Sequence, residues 1–79
     1  MLLVDTASLM VSDDYKDRFK AEYYQTKIRH DKLEEMVNGW NDLDFVPTCE
    51  KSVYVNQLKA MELYLDILLF RAGKEEIKL

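Results

Sequence analysis

A row of basic, aromatic and amide side chains recurs at helical spacing in the first half of the sequence. Steps of three and four residues place its members on one face of a helix: Tyr15, Arg18, Glu22, Gln25, Arg29 and Lys32. We call this row the basic strip. Arginine binds phosphate through paired hydrogen bonds, tyrosine stacks on a base, and glutamine reads base edges. The basic strip therefore has the chemistry to hold a nucleotide, although a solvated helix face with ion pairs such as Arg18–Glu22 would have the same composition.

The basic strip lies in a locally positive segment of an acidic protein. Between Tyr15 and Lys32 the sequence has six basic residues against three acidic ones, whereas the whole chain has a formal net charge of −4. DNA and RNA binding normally needs a broad basic face, so the composition argues against it. A short basic strip suits a small anionic ligand better. Gln57 and Arg71, in the second half of the sequence, are further candidates for contacts with such a ligand.

Residues with catalytic or metal-binding chemistry are few and scattered. The chain has one histidine, His30, and one cysteine, Cys49, so these residues predict neither a metal site nor a disulfide within the chain. His30 follows the apolar periodicity, which favours a core or interface histidine over a catalytic base. Adjacent carboxylates such as Glu34 and Glu35 point in different directions on a helix. Because glycine-rich phosphate loops and nucleophile motifs are also missing, we predict a binding protein without a cofactor, and not an enzyme.

Length and composition indicate one small folded domain. The chain has 79 residues, of which 48% are hydrophobic, with two glycines and one proline. Asp5 interrupts the apolar beginning of the sequence, and no apolar run approaches the roughly 20 residues that span a bilayer. The unpaired Cys49 favours a reducing compartment. We therefore expect a cytoplasmic protein that does not bind membranes.

Two long helices are predicted to position the candidate residues. Ser12 is a suitable N-cap, no glycine or proline follows until Gly39, and Gly73 is a suitable stop for a second helix. The predicted segments of this single domain, residues 1–79, are a leader (1–12), a helix (13–37), a connector (38–49), a helix (50–72) and a charged tail (73–79). The sequence thus belongs to the all-α class.

Each predicted helix has one apolar seam with alternating steps of four and three residues. The seams consist of Phe19, Tyr23, Thr26, His30, Leu33 and Val37, and of Tyr54, Leu58, Met61, Leu65, Leu68 and Ala72. Two such seams favour an antiparallel helical hairpin. Leu63, Ile67 and Phe70 form a further row, the apolar stripe, which we expect the leader, another subunit or both to cover. Because so short a chain usually needs additional stabilisation, we predict a homo-oligomer.

The sequence resembles a family of small phage proteins that includes open reading frames of crAss-like phages. The resemblance is carried by YKDRFKAEYY (15–24), LDFVPTC (43–49) and NQLKAMELYL (56–65), and it ends near Ala72. The leader and Trp40 depart from the family's pattern. The family is similar to the phage anti-CBASS sponges, which sequester cyclic oligonucleotide messengers.

This resemblance implies helical homo-oligomers, typically hexamers, that hold uncleaved cyclic dinucleotides in pockets between subunits. A tyrosine stacks on a base, and a basic residue of the first long helix reaches phosphate; some members hold cyclic trinucleotides at a separate site through an arginine late in the second helix. Carried over to this sequence, the tyrosine is Tyr15 and the late arginine is Arg71. The basic residue is Lys27, Arg29 or Lys32.

These observations bear on three functions. The resemblance implies a phage immune-evasion protein that removes cyclic di- or trinucleotides from CBASS-type signalling in the cytoplasm of the infected bacterium. The apolar stripe would also suit a structural or adaptor hairpin that binds a host or phage protein. A DNA-binding regulator is disfavoured by the net charge and by the lack of a helix-turn-helix. The basic strip favours the first function, because an adaptor does not need it.

Overall fold

The computed structural model describes residues 1–79 and contains helices and turns but no strand, which confirms the all-α class. Its elements in chain order are a 3₁₀ turn (Leu3–Thr6), the short helix α1 (Ala7–Met10), the long helix α2 (Tyr15–Asn38), a second 3₁₀ turn (Trp40–Asp42) and the long helix α3 (Lys51–Lys74). No helix of the chain combines the length and the apolar character that crossing a membrane requires.

Helix α2 begins after Asp14, and not after Ser12 as the sequence suggested. The Asp14 carboxylate accepts a hydrogen bond from the backbone N–H of Lys16 at 2.9 Å, which satisfies a donor of the first turn. Ser12 supports this cap: its Oγ accepts from the Asp14 N–H at 3.1 Å and donates to the Asp17 carboxylate at 2.8 Å. Both residues are good N-caps, and Ser12 serves to orient the turn that leads into Asp14.

The two long helices pack against each other along the predicted seams. Hydrogen bonds between them join Tyr15 to Arg71 near one end of the pair and His30 to Glu62 further along, so the chain direction reverses between α2 and α3. Every residue of both seams is buried or partly buried, and Leu68 is fully buried. The spacing of apolar residues therefore selects the faces that meet.

The densest part of the core lies where the beginning of α2 meets the end of α3. Its buried residues are Phe19, Leu68, Ala72 and Ile77, with Tyr23 packed against them. Ile77 belongs to the segment predicted as a charged tail. It reaches the core because α3 continues through Gly73 to Lys74, and the chain turns at Glu76, which has a φ of 57°. The prediction that Gly73 ends the helix is wrong.

The leader packs against α2. Thr6 is 1% exposed; its Oγ1 donates to the carbonyl oxygen of Leu3 at 2.7 Å and accepts from Nε2 of Gln25 at 3.0 Å. Ala21, one helical turn before Gln25, is also buried. Helix α2 therefore has two packed faces, one toward α3 and one toward the leader.

The apolar stripe of α3 stays uncovered within the chain. Leu63, Ile67 and Phe70 are 64%, 49% and 67% exposed. The expectation that the leader folds over this stripe is wrong, because the Thr6–Gln25 contact holds the leader on α2. Coverage by another subunit remains a prediction.

Candidate functional site

The predicted ligand residues are distributed over three regions of the molecule. Tyr15 and Arg71 lie together at the end of the molecule where α2 begins and α3 ends. Lys27 lines a pocket near the middle of the helix pair. The others lie elsewhere on the surface: Arg18, Arg29, Lys32 and Gln57.

Tyr15, Arg71 and Glu75 form a closed set of hydrogen bonds. Nη2 of Arg71 donates to the Tyr15 hydroxyl at 2.9 Å, and that hydroxyl donates to Oε1 of Glu75 at 2.7 Å. Nε of Arg71 donates to Oε2 of the same carboxylate at 3.0 Å. The guanidinium carbon lies 5.1 Å from the centre of the Phe19 ring, within the range of a cation–π contact. We call these four side chains the end cluster.

The charges of the end cluster compensate one another. The hydrogen bond to Glu75 raises the pKa of the Tyr15 phenol, so Tyr15 remains neutral at physiological pH. The hydrogen bond from Tyr15 lowers the pKa of Glu75, and the contact with Glu75 raises the pKa of Arg71. The end cluster thus combines an ionised carboxylate with a charged guanidinium, and the carboxylate neutralises the positive charge of Arg71.

The resemblance assigned Tyr15 and Arg71 to two separate ligand sites, whereas the structure brings them into contact. The reason is the reversal of chain direction, which sets the first turn of α2 beside the last turn of α3. Glu75 was missed by sequence reasoning, although it follows Arg71 by four residues, the spacing of helical ion pairs. Phe19 was predicted only as a seam residue.

A pocket of about 190 Å³ lies between α2 and α3. Its walls are Tyr23, Lys27, His30, Glu62, Leu65, Asp66 and Leu69. Pockets for small ligands usually measure about 300–1,000 Å³, so this one is small for a nucleotide. The carboxylates of Glu62 and Asp66 oppose the charge of Lys27, whose Nζ is also paired with Asp31 at 2.9 Å. One chain alone therefore provides neither the volume nor the positive charge that a cyclic dinucleotide would need here.

His30 connects the two long helices inside this pocket. It is 6% exposed, its Nδ1 lies 2.9 Å from Oδ1 of Asp31, and its Nε2 lies 2.8 Å from Oε2 of Glu62. Two carboxylate partners favour the doubly protonated ring, and the hydrogen bond with Glu62 raises the pKa of His30. Ligand atoms of His30, Asp31 and Glu34 lie within 4.8 Å of one another. A metal ligand must be an unprotonated nitrogen, so the geometry indicates a helix–helix contact.

The remaining residues of the basic strip differ in their surroundings. Nη1 of Arg18 donates to the carbonyl oxygen of Ser12 at 2.7 Å, which ties it to the turn before α2. Arg29 and Lys32 are exposed, and neither forms an ion pair. At 1.5 Å per residue, Arg29 is about 21 Å from Tyr15 along the helix. One small ligand therefore cannot contact both residues within a single chain.

These features define a small helical binding protein. Its polar clusters offer hydrogen-bond donors, charges and aromatic rings. The family model Sequestin matches residues 13–74, and the chain therefore belongs to the Sequestin family. The match comprises both long helices and the connector. The family name denotes sequestration and indicates a binding protein. No curated protein and no solved structure matches the chain.

Proposed function

We propose that this protein binds cyclic oligonucleotide second messengers and sequesters them without cleavage. The ligands are cyclic dinucleotides and, in the extended form of the proposal, cyclic trinucleotides. The protein would act as a phage immune-evasion factor in the cytoplasm of the infected bacterium, where loss of free messenger blocks CBASS-type antiphage signalling. Membership of the Sequestin family supports the sequestering role, and the resemblance to anti-CBASS sponges supports the class of messenger.

The observation that carries the proposal is the contact between Tyr15 and Arg71 across the two long helices. Tyr15 is 46% exposed, so its ring can stack on a base. The Arg71 guanidinium is oriented by its hydrogen bonds and by the Phe19 ring, which reduces the entropy lost when it binds phosphate. An oriented guanidinium beside an exposed tyrosine is a suitable contact pair for a nucleotide.

We further propose that the binding unit is a homo-oligomer, with a hexamer as the expected form. The apolar stripe of α3 is uncovered within the chain, and contiguous exposed apolar side chains suit an interface. The pocket beside Lys27 is small in one chain, and Arg29 and Lys32 lie far from Tyr15. A second subunit would bring a distant cation of one chain near the aromatic ring of another. A two-fold arrangement would also suit a ligand with two phosphates and two bases.

Binding with release of intact ligand is the direct test. The full chain is incubated with a panel of cyclic di- and trinucleotides, the free ligand is removed, and the protein is heated until it unfolds. We expect one class of messenger to bind and to return chemically unchanged. A hydrolysed product in the released fraction would contradict sequestration.

Calorimetry on variants then tests the site. Tyr15→Ala and Arg71→Ala should each weaken binding of the same ligand about tenfold or more, since stacking on an aromatic ring contributes about 1–3 kcal/mol per base. Lys51→Ala, an exposed cation at the other end of α3, is the matched control and should leave the affinity unchanged. Arg29→Ala and Lys32→Ala should weaken binding only if the pocket lies between subunits.

The exposed apolar stripe favours one alternative function, a structural or adaptor hairpin that binds a host or phage protein. This alternative predicts that no messenger of the panel binds. It also predicts that Phe70→Glu abolishes capture of the protein partner while Arg71→Ala does not. The two functions therefore differ in both experiments.

A further inference from the structure

The segment after α3 places a carboxylate at the position that an anionic ligand would occupy. Glu75 accepts hydrogen bonds from the Tyr15 hydroxyl at 2.7 Å and from Nε of Arg71 at 3.0 Å. These donors belong to different helices, and the carboxylate connects them. A phosphate oxygen accepts hydrogen bonds from the same two groups with similar geometry. Glu75 therefore resembles a bound anion supplied by the chain itself.

The turn around Glu75 is held by contacts on both sides. The N–H of Ile77 donates to the carbonyl oxygen of Ala72 at 2.8 Å, and the Ile77 side chain is buried in the core. Nζ of Lys16 donates to the carbonyl oxygen of Glu76 at 3.1 Å. None of these contacts uses the carboxylate of Glu75. The carboxylate of Glu75 can thus leave the end cluster without undocking the tail.

The donors remain accessible and are not all used. The side chains of Arg71 and Glu75 are 44% and 34% exposed, so an ion from solution can reach them. Nη1 of Arg71 has no hydrogen-bond partner within the chain, which leaves one further donor group for a ligand. Lys16 follows Tyr15 directly and adds a second positive charge at this end of the molecule.

We propose that Tyr15 and Arg71 form a phosphate subsite and that the carboxylate of Glu75 competes with the ligand for it. In the free protein Glu75 occupies both donors. On binding, a ligand phosphate takes its place, and the Glu75 side chain turns toward solvent. Only molecules whose subsite is free of Glu75 can bind the phosphate. The apparent affinity is therefore the intrinsic affinity multiplied by the fraction of such molecules. The identity of the ligand rests on the proposed function, whereas the subsite is defined by phosphate chemistry alone.

The experiment follows the Nε–H resonances of the arginine side chains in the ¹⁵N-labelled full chain. There are three arginines, Arg18, Arg29 and Arg71, and the variant Arg71→Lys assigns the resonance of the third. The probes are inorganic diphosphate and the cyclic dinucleotides of the panel. Glu75→Gln removes the competing charge. It is matched by Glu76→Gln, which removes an equal charge from the neighbouring residue, whose side chain forms no hydrogen bond or ion pair with the end cluster.

We expect diphosphate to shift the Arg71 resonance in the unmodified protein. Glu75→Gln should bind diphosphate more tightly, by up to about fivefold, the upper end of what an exposed ion pair contributes. Glu76→Gln should match the unmodified protein, and Tyr15→Phe should weaken binding in either background. Equal affinities for Glu75→Gln and Glu76→Gln would overturn the competition. A shift confined to Arg18 or Arg29, or no binding of diphosphate, would overturn the subsite.

The two proposals fail in distinguishable ways. If diphosphate behaves as expected but no cyclic dinucleotide binds, the phosphate subsite stands and the proposed messenger is wrong. If cyclic dinucleotides bind but Glu75→Gln does not increase their affinity, sequestration stands and Glu75 is not a competitor.

Discussion

His30 shows how one polar residue on an apolar seam can join two helices. Its ring is buried between α2 and α3, and both nitrogens face carboxylates that are about half exposed, those of Asp31 and Glu62. Glu34 approaches the same ring at 3.9 Å. Three acidic neighbours around one imidazole make its positive charge favourable despite burial. The contact therefore depends on the protonation of His30.

The stability of the folded chain should decrease as pH rises through the titration of His30. Glu62 raises the pKa of His30 above its ordinary value of 6.5, so protonated His30 stabilises the folded state. This contribution is fully present below the ordinary pKa of 6.5 and is lost as pH rises through the higher pKa of the folded state. Thermal unfolding between about pH 6 and 9 should show a falling Tm, and Glu62→Gln should flatten the slope.

The pH range and a control variant separate this effect from other titrations. The hydrogen bond from His30 lowers the pKa of Asp31, so its contribution is lost only as pH falls below its ordinary value of 3.8, a different range. Glu50→Gln changes an exposed carboxylate at the start of α3 and should keep the slope of the unmodified protein. Identical slopes for Glu62→Gln and Glu50→Gln would show that His30 does not control the pH dependence.

At the residue scale, the sequence indicates side-chain types better than side-chain partners. The periodicity predicted that His30 lies on the seam, but it could not show Glu62, which is distant in sequence. Tyr15 and Arg71 were predicted as ligand residues from their chemistry and from the resemblance. Their contact with each other depends on how α3 is aligned along α2. A shift of one helical turn would have brought a different residue to Tyr15.

At the scale of elements, two leucines of the chain differ in burial and therefore in their expected contribution to stability. Leu68 is 0% exposed on the seam of α3, and Leu2 is 65% exposed in the leader. Leu68→Ala should destabilise the fold by about 2–5 kcal/mol, because it leaves a cavity beside Phe19 and Ile77. Leu2→Ala should change the stability by less than about 0.5 kcal/mol. Urea unfolding monitored by circular dichroism compares them, and equal losses would place the core elsewhere.

Near the end of α3, Gly73 lies at a position that would suit a residue with a side chain, and Glu76 lies at one that would suit glycine. Gly73 lies inside the helix, and a Cβ atom there would meet nothing within 4 Å. Glu76 has a φ of 57°, in the left-handed region that favours glycine, and the Ile77–Ala72 hydrogen bond is that of a Schellman turn. Gly73→Ala and Glu76→Gly should each stabilise the chain by about 0.5–1 kcal/mol.

A double variant with Gly73→Ala and Glu76→Gly tests whether the two stabilising effects are independent of each other. Because the residues lie close together, the double variant need not show the sum of the single effects. Thermal unfolding should nevertheless place its Tm above that of the unmodified chain. A lower Tm for Glu76→Gly alone would mean that its side chain contributes more than the backbone conformation costs.

The long helices could be predicted from spacing, whereas their ends and the leader could not. Steps of three and four residues identify the seams because helical geometry repeats along the chain. The end of α3 depends on whether the helix tolerates Gly73, which the packing of Ile77 beyond it decides. The leader is tied to α2 by hydrogen bonds from Gln25 to Thr6 and Met10, which join residues that are distant in sequence. Gln25 was placed in the basic strip, because nothing local distinguishes a residue that could contact a ligand from one that binds the leader.

At the scale of the whole molecule, the chain is long and has little interior. It measures 42 × 24 × 16 Å, and 10 of its 79 residues are buried. Helix α2 is packed on two faces, by α3 and by the leader, whereas α3 is packed along its seam and exposes its apolar stripe. This asymmetry suggests that α3 meets another copy of the chain.

Self-association through the apolar stripe is therefore expected, and one charge should prevent it. Ile67→Glu or Phe70→Glu would place a carboxylate among side chains that must lose water on association, at a cost of several kcal/mol unless it is paired. Val46→Glu is the control, because Val46 is 93% exposed on the connector and lies off the stripe. Light scattering at micromolar concentration should show an oligomer for the unmodified chain and for Val46→Glu.

The same variants connect assembly to ligand binding. Because Arg29 is about 21 Å from Tyr15 along α2, a pocket that uses both requires two subunits, and Ile67→Glu should then lose messenger binding together with assembly. Circular dichroism should remain helical, since Ile67 is not a core residue of the single chain. A variant that is monomeric yet binds with full affinity would confine the pocket to the end cluster of one chain. A mass of 9.4 kDa for the unmodified protein in solution would contradict self-association itself.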